Sequence, residues 1–226
     1  MTTNGSTGFY TMVMRRGLLT CLCFLMSLMA NAEPGERSAV INALNAVPVY
    51  FVTTASGAAP AVGAQQQADF VPVFLYSQEA DIAKAELERE GATQLKVVRS
   101  ELGILYSGKL SANNNGIRYG LVANPTQLAA ARRLAANANF SEVPIFVAKH
   151  KQSGEVMTTK QPSGTLTIPL FLEVQRLESA LVKLGKQLPD LAGEFRVEAY
   201  PLSRIVDDMS SGTLDPQQVQ MIPPTD

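Results

Sequence analysis

A short pattern, Val or Ile, then Pro, then an aliphatic residue, then an aromatic one, occurs four times in this 226-residue chain. The copies lie at 47–50, 71–74, 143–146 and 168–171, with prolines at 48, 72, 144 and 169. They are 24 and 25 residues apart within a pair, and 96 and 97 apart between pairs. At average composition such a tetrad turns up about once in ten thousand positions, so four in paired register point to an internal duplication. Proline brings no N–H to a sheet ladder and is tolerated at strand entries and edges. Standing second in every copy, it marks four strand starts. The residues that follow do not alternate: Val49, Tyr50, Phe51 and Val52 are all apolar, as are Val73, Phe74, Leu75 and Tyr76, and Ile145, Phe146, Val147 and Ala148. Such strands need both faces covered.

The rest of each half keeps one order. A helix follows the second tetrad, started by Ser77 as a cap in the first half and carrying Val174, Leu177, Leu181 and Leu184 at helical spacing in the second. Then come a short strand (95–98 against 195–197), a short helix (Leu102 and Leu105 against Leu202 and Ile205) and an extended apolar segment (121–125 against 220–224). Helices also precede each unit, at 38–45 and 126–138, the second with Asn124 as cap, Pro125 at the first helical position and Gln127 placed for a capping box. Between elements, 57–63 reads as a loop without a phosphate-binding ending, and 111–116 as a turn with an Asn115-Gly116 step. The expected fold is α+β: two pseudo-symmetric lobes, each a small mixed sheet with helices packed on one face. Helices on one face leave the other apolar face to be covered by the twin lobe or by another polypeptide.

Met14, Arg15 and Arg16 precede an apolar run that ends at Ala30, Asn31 and Ala32. That is the layout of a signal peptide, with cleavage between Ala32 and Glu33, and it divides the chain into a signal at 1–32 and repeat units at 33–125 and 126–226. The run, about a dozen residues, is short of the roughly 20 needed to span a bilayer, and nothing later approaches that length. An uncleaved anchor is the alternative. Both cysteines, Cys21 and Cys23, lie inside the signal, so the mature protein has no disulfide or thiolate metal site. The signal holds two of the 19 basic residues and none of the 20 acidic ones, leaving a net charge of −3. That argues against nucleic acid as a partner.

Catalytic constellations are hard to build here. His150, the single histidine, stands in a Lys149-His150-Lys151 run before a turn and reads as a solvated loop residue. Without a mature cysteine or a second histidine, Cys/His pairs and clustered His metal sites are excluded within one chain, and no cofactor is expected. Asp207 and Asp208 are consecutive, and consecutive helix residues do not face each other. Arg132 and Arg133 read as surface residues that could pair across the lobes, and the acceptor pattern at 139–141 matters only in eukaryotic secretion.

The paired tetrads, together with the segments 122–127 and 221–224, resemble the Tic22 family of the chloroplast inner-envelope protein translocon and its cyanobacterial relatives, over about 44–224. Ala123 and Asn124 depart from that family's usual pattern. The resemblance implies a two-lobed, non-enzymatic, chaperone-like escort in the periplasm, with thylakoid lumen or plastid intermembrane space as alternatives. Its partners would be unfolded or extended polypeptides, including outer-membrane β-barrel precursors or their assembly machinery. By position, the apolar residues of the client-binding surface would be Tyr50, Phe51, Phe74, Tyr76, Phe146 and Phe171. The competing expectation is an interaction module that docks on a membrane-bound assembly factor and binds no clients.

Overall fold

In the computed structural model, residues 34–57, 70–108, 118–135, 139–191 and 193–225 are described. The segment read as a signal, the expected cleavage pair Ala32 and Glu33, the 111–116 turn and most of the 57–63 loop lie outside them. Helix α1 (Pro34–Leu44) leads into β1 (Pro48–Thr54), β2 (Phe70–Phe74), α2 (Ser77–Arg89), β3 (Leu95–Glu101), α3 (Leu102–Tyr106) and β4 (Arg118–Leu121). After α4 (Pro125–Leu134) come β5 (Pro144–His150), the short β6 (Thr159–Lys160), β7 (Leu166–Phe171), α5 (Val174–Gln187), β8 (Phe195–Pro201), α6 (Leu202–Ser210) and β9 (Val219–Ile222). The fold is α+β, with two mixed sheets.

The first sheet runs β3-β1-β2-β4, and in the second β8, β5, β7 and β9 follow one another, with β6 as a further partner of β7. In each sheet one long antiparallel pairing (β1 with β3, β5 with β8) and one short one (β1 with β2, β5 with β7) are followed by a last strand that joins in parallel. Aromatic residues occupy matching places: Tyr50 pairs with Phe74, and Phe146 with Phe171. The turn into each short helix is tied down alike, Leu102 N–H donating to the Val47 carbonyl and Leu202 N–H to that of Val143, both at 2.9 Å.

Only Pro48 and Pro144 open their strands. Pro72 and Pro169 stand inside β2 and β7, where each is matched in register with the parallel neighbour, at Gly120 and Gln220. The missing N–H shows in the other ladder. Antiparallel pairing of β1 with β2 begins only at Val73, and that of β5 with β7 is confined to Phe171.

All five central residues of β1 and the first five of β5 are buried, which explains why their sequences do not alternate. The inner faces of both sheets meet in one core. Val49, Phe51 and Val73 of the first sheet and Ile145, Val147 and Leu170 of the second share it with Val40 and Leu44 of α1, Leu102 of α3, and Ile205 and Met209 of α6. On the outer face of the first sheet, Tyr50 and Phe74 pack against Ala80 of α2. On that of the second, Phe146 and Phe171 pack against Ala131 of α4 and Val174 and Leu177 of α5. Helices therefore contribute to both faces of each sheet, where one face was expected, and the inner faces are covered by the opposite half together with α1, α3 and α6.

Local details depart from expectation in three places. Ser77 is the first residue of α2 and not its cap, since Tyr76 holds that place without a side-chain bond. His150 ends β5, edge-on to the Phe195 ring with centroids 5.9 Å apart, and its Nδ1 accepts the Ser153 N–H at 3.2 Å. Strand pairing to Phe195, not loop geometry, positions it. Arg132 donates to the Phe140 carbonyl at 2.8 Å, a bond inside its own half.

Candidate functional site

Where the second tetrad strand of each half ends, the backbone turns directly into a helix. Tyr76 precedes α2 and Glu173 precedes α5, and neither caps its helix through a side chain. Helix α4 starts at the same place, and here the cap is complete: Asn124 Oδ1 accepts from Thr126 N–H at 2.9 Å and from Gln127 N–H at 3.1 Å. Asn124 also donates to Glu79 Oε1 of α2 at 2.9 Å. Gln127, buried, does not close the expected capping box. Its Oε1 accepts the Val174 N–H at 3.0 Å and its Nε2 donates to Gln175 Oε1 at 3.0 Å, so it caps α5 in place of Glu173. The start of α4 thus fastens α2 of the first half to α5 of the second.

Above this node lies an open cleft of about 840 Å³. Tyr76 and Phe171 contribute apolar surface to it, beside Gln78, Glu79 and Ile82 of α2 and Gln175, Arg176, Ser179, Ala180 and Lys183 of α5. Thr225 enters it, its N–H and Oγ1 donating to Glu173 Oε2 at 3.1 and 2.8 Å, while Arg176 donates to the Pro223 carbonyl. Burial and the neighbouring Glu173 carboxylate push the Tyr76 phenol well above its ordinary pKa. Burial raises the Glu79 carboxyl, opposed by the Asn124 hydrogen bond. Tyr76 Oη is buried beside Glu173 and Gln127, and Glu79 Oε2 is buried without a hydrogen-bond partner among the described residues.

The residues expected to form an apolar docking surface are placed differently. Phe146 is 0% exposed, Phe51 4%, Phe74 6%, Phe171 7% and Tyr50 8%. With both sheet faces covered, these rings are core, and an accessible surface made of them is corrected to an interior one. Tyr76 is half-buried, and of the six only Tyr76 and Phe171 line the cleft. The polar wall residues were missed by sequence reasoning. Ser77-Gln78-Glu79 and Gln175-Arg176 follow the strand ends directly, but that pattern signals two helix starts and says nothing of their facing each other.

A second polar cluster sits on β5 and β8. Glu198 lies 3.1 Å from Lys149 and 2.7 Å from Arg196, and Tyr200 donates to it. These bonds, that from Tyr200 foremost, hold its carboxyl at about 2. Every member is paired, so the cluster reads as a clasp between strands. Among the described residues, no group of three or more His, Cys, Asp or Glu is placed to hold a metal ion, and no helix is long and apolar enough to cross a membrane.

Two mixed sheets sharing one core, with an amide-lined cleft where the halves meet, define the class: an α+β protein of two sheets and six helices among the described residues. The model of the Tic22-like family matches residues 30–226, and the chain belongs to that family. Among solved structures it is similar to Anabaena Tic22, a protein of protein transport, at 18% identity with a TM-score of 0.64, covering 83% of this chain and 92% of that one. It is also similar to Tic22 from Plasmodium falciparum, at 17% identity with a TM-score of 0.60, covering 82% and 91%. Identities this low speak for the fold. No curated protein matches.

Proposed function

We propose that this protein is a periplasmic, chaperone-like escort in protein transport that holds extended or unfolded polypeptides transiently in the cleft between α2 and α5. The observation that carries the reading is the lining. Carboxylates of Glu79 and Glu173 offset the cations of Arg176 and Lys183, and amides of Gln78, Asn124 and Gln175 stand beside apolar Tyr76, Ile82 and Phe171. A charge-balanced wall of amides suits peptide groups better than any ion, because amides donate and accept as peptides do. One client side chain buried there contributes about 1.5–3 kcal/mol, so a few shallow contacts give weak, reversible holding. Export behind a signal at 1–32, clients that include outer-membrane β-barrel precursors, and descent from a duplicated unit (33–125 and 126–226) belong to the same reading. The matching strand order of the two sheets supports the last of these.

Ile82 is half exposed and faces the cleft, so Ile82→Asp is expected to abolish suppression of aggregation of an unfolded β-barrel precursor with Tm kept. Unchanged suppression by that variant would sink the cleft as the client site. Docking on a membrane-bound factor is the second reading, favoured by Val182, Leu188 and Leu191, which α5 and the turn after it leave 59%, 50% and 36% exposed. Loss of that factor in a pull-down with Val182→Glu and Leu188→Glu, with client holding intact, would assign those residues to it.

A further inference from the structure

Building on the reading of the cleft as a polypeptide site, we propose that it recognises an extended chain through main-chain groups. Residues 223–225 of this chain are the resident occupant of its α5 end, and an incoming segment displaces them.

Past β9 the backbone stays on the start of α5. Arg176 takes the Pro223 carbonyl, and Glu173 takes the Thr225 N–H and hydroxyl. Two of these three bonds go to main-chain atoms, which every sequence presents. Pro223 and Pro224 have no N–H to spend elsewhere, and their fixed φ keeps the strap extended. The cleft therefore already holds a peptide by the one feature all peptides share.

The remaining lining has capacity for more. Glu79 Oε2, an acceptor, is buried without a partner among the described residues, and the Tyr76 hydroxyl stands beside Glu173 and Gln127 as a donor, while a peptide unit offers one carbonyl and one N–H. Glu173 links Tyr76 to the strap, because the carboxylate that Thr225 occupies also stands beside the Tyr76 phenol. Releasing Thr225 returns that carboxylate to the cleft and frees the α5 end for a client. Strap and client compete for the same groups, so occupancy by the strap lowers apparent affinity by the fraction of time the cleft is free.

The test uses fluorescein-labelled, reduced and carboxymethylated lactalbumin, a permanently unfolded protein, read by anisotropy. Thr225→Pro removes both bonds to Glu173 while keeping the strap extended, and a chain stopped after Ile222 removes the strap and leaves β9. Both variants should bind the probe about five-fold tighter or more, the factor for a cleft free about one-fifth of the time. A synthetic peptide of residues 218–226 should compete on the shortened chain, and a photoreactive residue at position 179 should crosslink the probe. Equal binding by all three chains, with crosslinking at 179, overturns the strap and leaves the polypeptide reading standing. Absence of both binding and crosslinking overturns that reading itself. Tighter binding without a crosslink at 179 places the probe elsewhere and removes the strap from the cleft. Should the shortened chain fail to fold, Thr225→Pro decides alone.

Discussion

At Gly103, helix α3 touches α1 so closely that an added Cβ would lie 2.1 Å from Asn45 Oδ1 and 2.4 Å from the Ile41 carbonyl oxygen. Gly103→Ala is expected to destabilise the protein by about 1–3 kcal/mol, read as a lowered denaturation midpoint at unchanged slope. Phe146, with no exposed surface, should cost about 3–5 kcal/mol as Phe146→Ala. Glu198 gives a pH signature. Its folded pKa of about 2 lies below the ordinary 4.5, so its contribution is complete above 4.5 and is lost as pH falls toward 2. Glu198→Gln should flatten that acid limb in a plot of Tm against pH. Such residues were legible only in part. The apolar residues on either side of Phe146 called for cover on both faces of its strand, yet the residue was expected on a client-binding surface and is interior; Gly103 carries no sequence mark, because close approach of two helices is a property of their packing.

Among elements, the four tetrads revealed four strands, and the period of Val174, Leu177 and Leu181 revealed α5, because strand and helix periodicities are written locally. The prolines misled at β2 and β7. A missing N–H limits one ladder, and only the pairing of β2 with β4 and of β7 with β9 shows that the other can run past it. The cleft was illegible for a similar reason: it is made by three helix starts that chain order keeps apart. Helix α4 offers the cleanest test at this scale. Asn124 satisfies two N–H groups of its own helix and one oxygen of Glu79, so Asn124→Ala should cost about 0.5–2 kcal/mol and loosen α2 from α4. Hydrogen exchange that accelerates at the starts of both helices would show it.

For the molecule as a whole, the shared core decides how the protein falls apart. Val49 of β1 and Val147 of β5 share one core with the same helices, so the halves are expected to unfold in a single transition, with calorimetric and van't Hoff enthalpies equal, and residues 33–125 alone should stay unstructured. Two separate transitions would show the two halves to be independent. The parallel pairing of β9 with β7 has a consequence for biogenesis. A ribosome or translocase delivers the polymer from its N-terminus, so β7 must wait with one edge open until everything up to Ile222 has emerged. A nascent chain caught short of that point offers proteases an unfinished sheet.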